Sequence, residues 1–162
     1  MARTQGKSTH PNAIHLTVAS VPRASRFYAE KLGFKLAGTW PDADKPVYAK
    51  MVLDGQVVML GELPSLQEAK QMGLEPQELE VVKQDARAIA RGALGVGVAC
   101  HLQVADVDRF AAKMKKRRVK LLLPPKTQFY GARECALVDL DGYRLVFYAV
   151  APAKGDAQPV SE

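Results

Sequence analysis

The chain is 162 residues long, 48% hydrophobic and 25% charged, with 23 Lys and Arg against 17 Asp and Glu, a net charge of +6. This composition fits one domain, or two half-domains sharing a core, and excludes general disorder and collagen-like architecture. No apolar run approaches the ~20 residues that cross a bilayer, MARTQGKSTHPNA has no signal-peptide core, and Cys100 and Cys135 make neither a disulfide framework nor a zinc ribbon.

Taken in chain order, residues 1–12 read as a disordered tail. Residues 13–21, AIHLTVASV, form an apolar strand ending at a helix start. Ser20 is placed to cap that helix, Pro22 sits in its first turn, and Gly33 stops it. A strand begins at FKL, 34–36, and runs on to Trp40. The alternating runs VYAKMVL and QVVMLGE flank Asp54-Gly55, which predicts a hairpin with a type I′ turn. Residues 13–62 therefore read strand, helix, strand, strand, strand.

Residues 63–94 are expected as a helical linker, with helices over 67–72 and 76–91. The order of residues 13–62 then returns over 95–150. Residues 99–107, ACHLQVADV, share Ala, His, Leu, Val, Ala and Val with 13–21, six matches in nine at an offset of 86. Asp106 takes the capping place of Ser20, VKL at 119–121 the place of FKL, and Asp141-Gly142 the place of Asp54-Gly55. The second pair predicts a second type I′ hairpin. Residues 151–162 read as another disordered tail.

Seven of the basic residues fall within RFAAKMKKRRVK, 109–120. Phe110, Ala111 and Met114 give that helix an apolar face, so the cations read as its solvated side and C-terminal turn. A nucleic-acid partner is disfavoured, because no zinc-finger, RRM or KH signature accompanies the charge.

Two tandem βαβββ modules carrying HLTVASVPRASRFYAEKLGF, GVGVACHLQVADVDRF and YGARECALVDLDGYRLVFY resemble the vicinal oxygen chelate superfamily of glyoxalases, bleomycin-resistance proteins and extradiol dioxygenases. The resemblance implies an α+β fold whose curved mixed sheets surround a shared cavity, and a homodimer. It also implies metal ligands on the first and last strands of each module. Here those positions hold Ala13, Met59, Ala99 and Val146, none of them a donor for a divalent ion. No cofactor is expected.

His15 and His101 lie two residues beyond Ala13 and Ala99, on the same strand faces. They are the alternative source of a weakly held divalent metal. The expected ligand-contacting set is His15, Trp40, Met59, His101, Glu134, Arg144 and Tyr148. Glu134 is read either as an acid/base or as an ion-pair partner of Arg144. Tyr130 is expected at the cavity rim, and Cys100 and Cys135 as core thiols.

The leading expectation is a cytoplasmic protein that binds a small neutral or anionic organic molecule in the inter-module cavity without metal. The charge of +6 argues against a cationic drug such as bleomycin. The alternative is a metal-dependent lyase, isomerase or dioxygenase-like enzyme using His15 and His101. Whether any reaction is catalysed stays open at this point.

Overall fold

The computed structural model describes residues 13–92 and 94–150; the two tails expected from the sequence lie outside them. The first module comprises β1 (Ala13–Val18), α1 (Val21–Arg26), β2 (Lys35–Trp40), β3 (Tyr48–Leu53) and β4 (Gln56–Glu62). A π-helical segment, Phe27–Leu32, continues α1. Two linker helices follow, α2 (Leu66–Gln71) and α3 (Pro76–Ala90). The second module comprises β5 (Ala99–Gln103), α4 (Val107–Lys116), β6 (Leu123–Thr127), β7 (Ala132–Val138) and β8 (Arg144–Val150).

Each module makes a four-stranded mixed sheet, ordered β1-β4-β3-β2 and β5-β8-β7-β6. The first strand pairs parallel with the last, and the other pairings are antiparallel. The helix between first and second strands makes the parallel pairing possible, since parallel neighbours need a long crossover. The predicted caps are present: the Ser20 hydroxyl accepts from the Arg23 N–H, and the Asp106 carboxylate accepts from the Arg109 N–H at 2.9 Å. Gly33 closes the first helix at φ +89°.

Alternation divides each sheet into two faces. Leu16, Val18, Met51 and Leu60 point to the helix side of the first sheet, and Cys100, Leu102, Leu137, Leu145 and Phe147 do so in the second. These residues and the helix faces, including Phe110 and Met114, join in one core spanning both modules. Phe110 stacks on Phe147 with ring centroids 4.0 Å apart. Truncating such a ring to alanine costs about 3–5 kcal/mol. The register turns Leu60 into the core and leaves Met59 on the opposite face.

The modules are tied reciprocally at the ends of β1 and β5. The Tyr143 hydroxyl, beside the β7–β8 hairpin, donates to the Thr17 carbonyl at 2.9 Å. At the matching place, the Gln56 amide donates to the Gln103 carbonyl at 2.6 Å and accepts from its N–H at 2.7 Å. Lys31 and Arg117, one at each helix end, donate to each other's carbonyls at 3.1 and 3.0 Å.

Two local expectations are corrected. Asp54 and Gly55 have φ of +47° and +78°, as a type I′ turn requires, but only Gly142 of the second pair is in the left-handed region, at +94°. There the buried Asp139 carboxylate accepts the N–H groups of Asp141 and Tyr143 at 3.0 and 2.8 Å, stabilising a wider loop. The second correction is that residues 119–121 are not a strand: β6 starts at Leu123 and carries Pro124 and Pro125, with a register shift between Leu123 and Lys126. Proline cannot donate to a ladder and is tolerated on an edge strand such as this one.

Candidate functional site

The faces turned away from the helices carry the candidate residues. On the first sheet, β1 sets His15 beside Met59 of β4, and β3 sets Lys50 beside the same Met59. On the second, β5 sets His101 beside Val146, and β7 sets Glu134 beside Tyr148 and Ala136 beside Val146. His101 and Tyr148 have ring centroids 6.2 Å apart.

A cavity of about 380 Å³ opens on the second face, lined by Ala99, His101, Leu123, Pro124, Lys126, Gln128, Glu134, Ala136, Arg144 and Val146, with Cys135 behind. His101, Glu134 and Arg144 are thus brought together; His15, Met59 and Trp40 are not among its walls. Its lining sets Lys126 and Arg144 against the single carboxylate of Glu134. Glu134 does not pair with Arg144 among the described residues. Its Oε1 accepts the Tyr130 hydroxyl at 2.9 Å, and this bond raises the Tyr130 pKa. The rim aromatic read from the sequence therefore holds Glu134 in place.

His15 lies over a gap that only glycine leaves. A Cβ built on Gly61 would stand 2.5 Å from His15 Nε2, so the missing side chain is what admits the imidazole. Trp40 lines a different cavity, about 460 Å³, with Pro41, Val47, Glu62, Leu63, Pro64, Glu68, Gln71 and Met72.

The neighbouring Arg133 turns the other way. Its guanidinium donates to both oxygens of Asp108 on α4, at 2.5 and 2.6 Å, and holds that carboxyl below the usual range. The Arg of the YGARE segment is therefore a strap between β7 and α4. Cys100 and Cys135 lie in the core, where burial raises both thiols, Cys135 to about 11. Both are free, buried thiols, as strand alternation predicts.

Lys126, Gln128, Leu123 and Pro124 were not singled out by the sequence reading, because it placed the sixth strand too early. Lys50 was missed too, although period-2 counting along β3 would have set it on the face of Met59.

Among the described residues, the side chains at the candidate site do not fit a metal centre of three or four protein donors. Each imidazole stands beside an apolar partner, His15 by Met59 and His101 by Val146. Among the described residues no group of three or more His, Cys, Asp or Glu side chains is placed to hold an ion.

Two curled βαβββ modules, tied tail to hairpin and presenting open faces, define a glyoxalase-type fold. The chain belongs to the Glyoxalase/Bleomycin resistance protein/Dioxygenase superfamily, whose family model matches residues 10–147. It is similar to TioX from Micromonospora sp. ML1, at 17% identity and TM-score 0.61, over 86% of this chain and 97% of that one. It is similar to TnmS3, an antibiotic binding protein from Streptomyces sp. CB03234, at 19% identity and TM-score 0.58, over 86% and 93%. A glyoxalase/bleomycin resistance protein/dioxygenase from Nocardioides aligns at 16% identity and TM-score 0.58, over 91% and 87%. At these identities the likeness to each structure is one of fold. No curated protein matches the chain. No helix among the described residues is long and apolar enough to cross a membrane.

Proposed function

We propose that this protein binds a small neutral or anionic organic molecule on the open faces of its two sheets, without the metal of its enzymatic relatives. The observation that carries this reading is the composition of the 380 Å³ cavity: apolar walls from Val146, Ala136 and Leu123, and two cations, Lys126 and Arg144, against one carboxylate already engaged by Tyr130. Such a site desolvates an apolar body and leaves unmatched positive charge for an anionic group. His101 and Tyr148 supply a hydrogen-bonding and stacking edge. His15 and Met59 extend the surface on the first sheet.

Two further points support the reading. The family includes proteins that bind small molecules, TnmS3 being described as an antibiotic binding protein. The four positions where relatives carry ligands hold Ala13, Met59, Ala99 and Val146, which supply no donor. The homodimer and the cytoplasmic location belong to the same proposal.

The test is a thermal-shift screen of aromatic carboxylates and their methyl esters, repeated with EDTA and with added Zn²⁺, Ni²⁺, Mn²⁺ or Fe²⁺. A shift with the acids that EDTA leaves unchanged supports the reading. A response only with added metal turns it to the enzyme alternative at His15 and His101, and a silent panel ends it.

A further inference from the structure

The linker does more than join the modules. With the ends of β2 and β4 it encloses the 460 Å³ cavity lined by Trp40, Pro41, Val47, Leu63, Pro64 and Met72, whose polar lining is Glu62, Glu68 and Gln71. Three large apolar side chains at this cavity stay open to solvent: Trp40 at 58%, Met72 at 61% and Val47 at 39%. Exposed apolar surface gathered in one concavity marks a contact site.

The charge of this cavity opposes that of the whole molecule. The chain carries +6, yet two carboxylates and no Lys or Arg line this space. Both carboxylates are held in place by helix starts. Glu62 accepts the Val21 N–H at 2.6 Å. Glu68 accepts the Ser65 N–H at 2.8 Å in the capping box of α2, which keeps it ionised below the usual carboxylate range. Each accepts one backbone N–H, which fixes the carboxylate at the cavity. An indole, a thioether, two prolines and two fixed carboxylates are the chemistry that receives an apolar cation, through ring quadrupole and charge together.

We infer that the linker cavity is a second binding site, for a small organic cation bearing aromatic or alkyl groups. It shares no lining residue with the cavity at His101, and it has the opposite charge preference. The inference does not rest on the reading of the sheet-face site.

Trp40 is the chain's one tryptophan, so its emission reports this cavity alone. The experiment titrates the whole protein with tetraphenylphosphonium and, separately, with tetraphenylborate, two ions of one shape and opposite charge. The expected result is a saturable change in Trp40 emission with the phosphonium and none with the borate. Phosphonium affinity falls several-fold in the Glu62→Gln/Glu68→Gln double variant and at raised salt. Glutamine keeps the acceptor for Val21 and the capping-box pattern, and a thermal melt checks that the variant folds. Equal responses to both ions would show an apolar patch without charge selection and overturn the site. So would a phosphonium isotherm indifferent to the double substitution, or no saturable response to either ion.

Discussion

The hydroxyl of Tyr28, in the first module's helix, donates a 2.8 Å hydrogen bond to the Asp139 carboxylate of the second module, 111 residues away in sequence. Both groups are buried, at 1% and 7% exposure. Burial and the neighbouring Asp139 raise the Tyr28 phenol far above its usual range, and burial raises the Asp139 carboxyl despite three hydrogen bonds that favour its charge. One carboxylate thus organises the β7–β8 loop and locks the modules together.

Removing the phenol leaves Asp139 Oδ2 without its partner in the core. Tyr28→Phe is expected to cost about 1–3 kcal/mol, the penalty of an unsatisfied buried acceptor. Chemical denaturation of the two proteins measures it.

The same pair sets a pH dependence. A carboxyl whose folded pKa is raised contributes stability that is fully present below its unfolded pKa of ~3.9 and is lost as pH rises through the folded value. Asp139→Asn cannot ionise, and its carbonyl still accepts the two loop N–H groups. Measured against the wild type, its melting temperature should therefore compare better at pH 7 than at pH 4. An equal difference at both pH values would remove Asp139 as the source.

Gly61→Ala tests how His15 is seated. The added methyl meets the far end of an exposed imidazole rather than backbone. The ring should swing away while stability changes by no more than about 1 kcal/mol. The His15 ring resonances report the movement by NMR, and Tm reports the fold.

The helix stop gives a quantitative backbone prediction. Gly33 sits at φ +89°, and a Cβ there would approach Arg117 Nη1 to 3.2 Å. Gly33→Ala should cost about 1–2 kcal/mol, the left-handed penalty, with some loss of the Lys31–Arg117 contact.

How far the fold was legible follows from the range of the forces involved. His15 with His101, Ser20 with Asp106, and the turn at Asp54-Gly55 express local chemistry, so the repeat and its elements could be read from spacing. The second turn could not. Asp141-Gly142 carries the same local signal as Asp54-Gly55, but Asp139 is pulled into the core by Tyr28 and reshapes the loop. The site was half legible for a similar reason. Alternation set His101, Glu134 and Arg144 on one face, while Lys126 depended on where β6 begins, which Pro124 and Pro125 displaced along the edge. Glu134 bonds Tyr130, four residues before it, while Arg144 lies opposite Val138, four residues along the ladder, a register that face alternation alone does not give.

Recognition of an organic anion at the second sheet is proposed to need no metal. Isothermal titration of 2-naphthoate and related aromatic carboxylates in EDTA, against wild type and Arg144→Ala, tests it most directly. Saturable binding is expected in EDTA, weaker for the methyl esters and about tenfold weaker when Arg144 loses its charge, as 1.4 kcal/mol of charge recognition would give. Binding that appears only on adding a divalent metal, or that is equal in the two proteins, would contradict it.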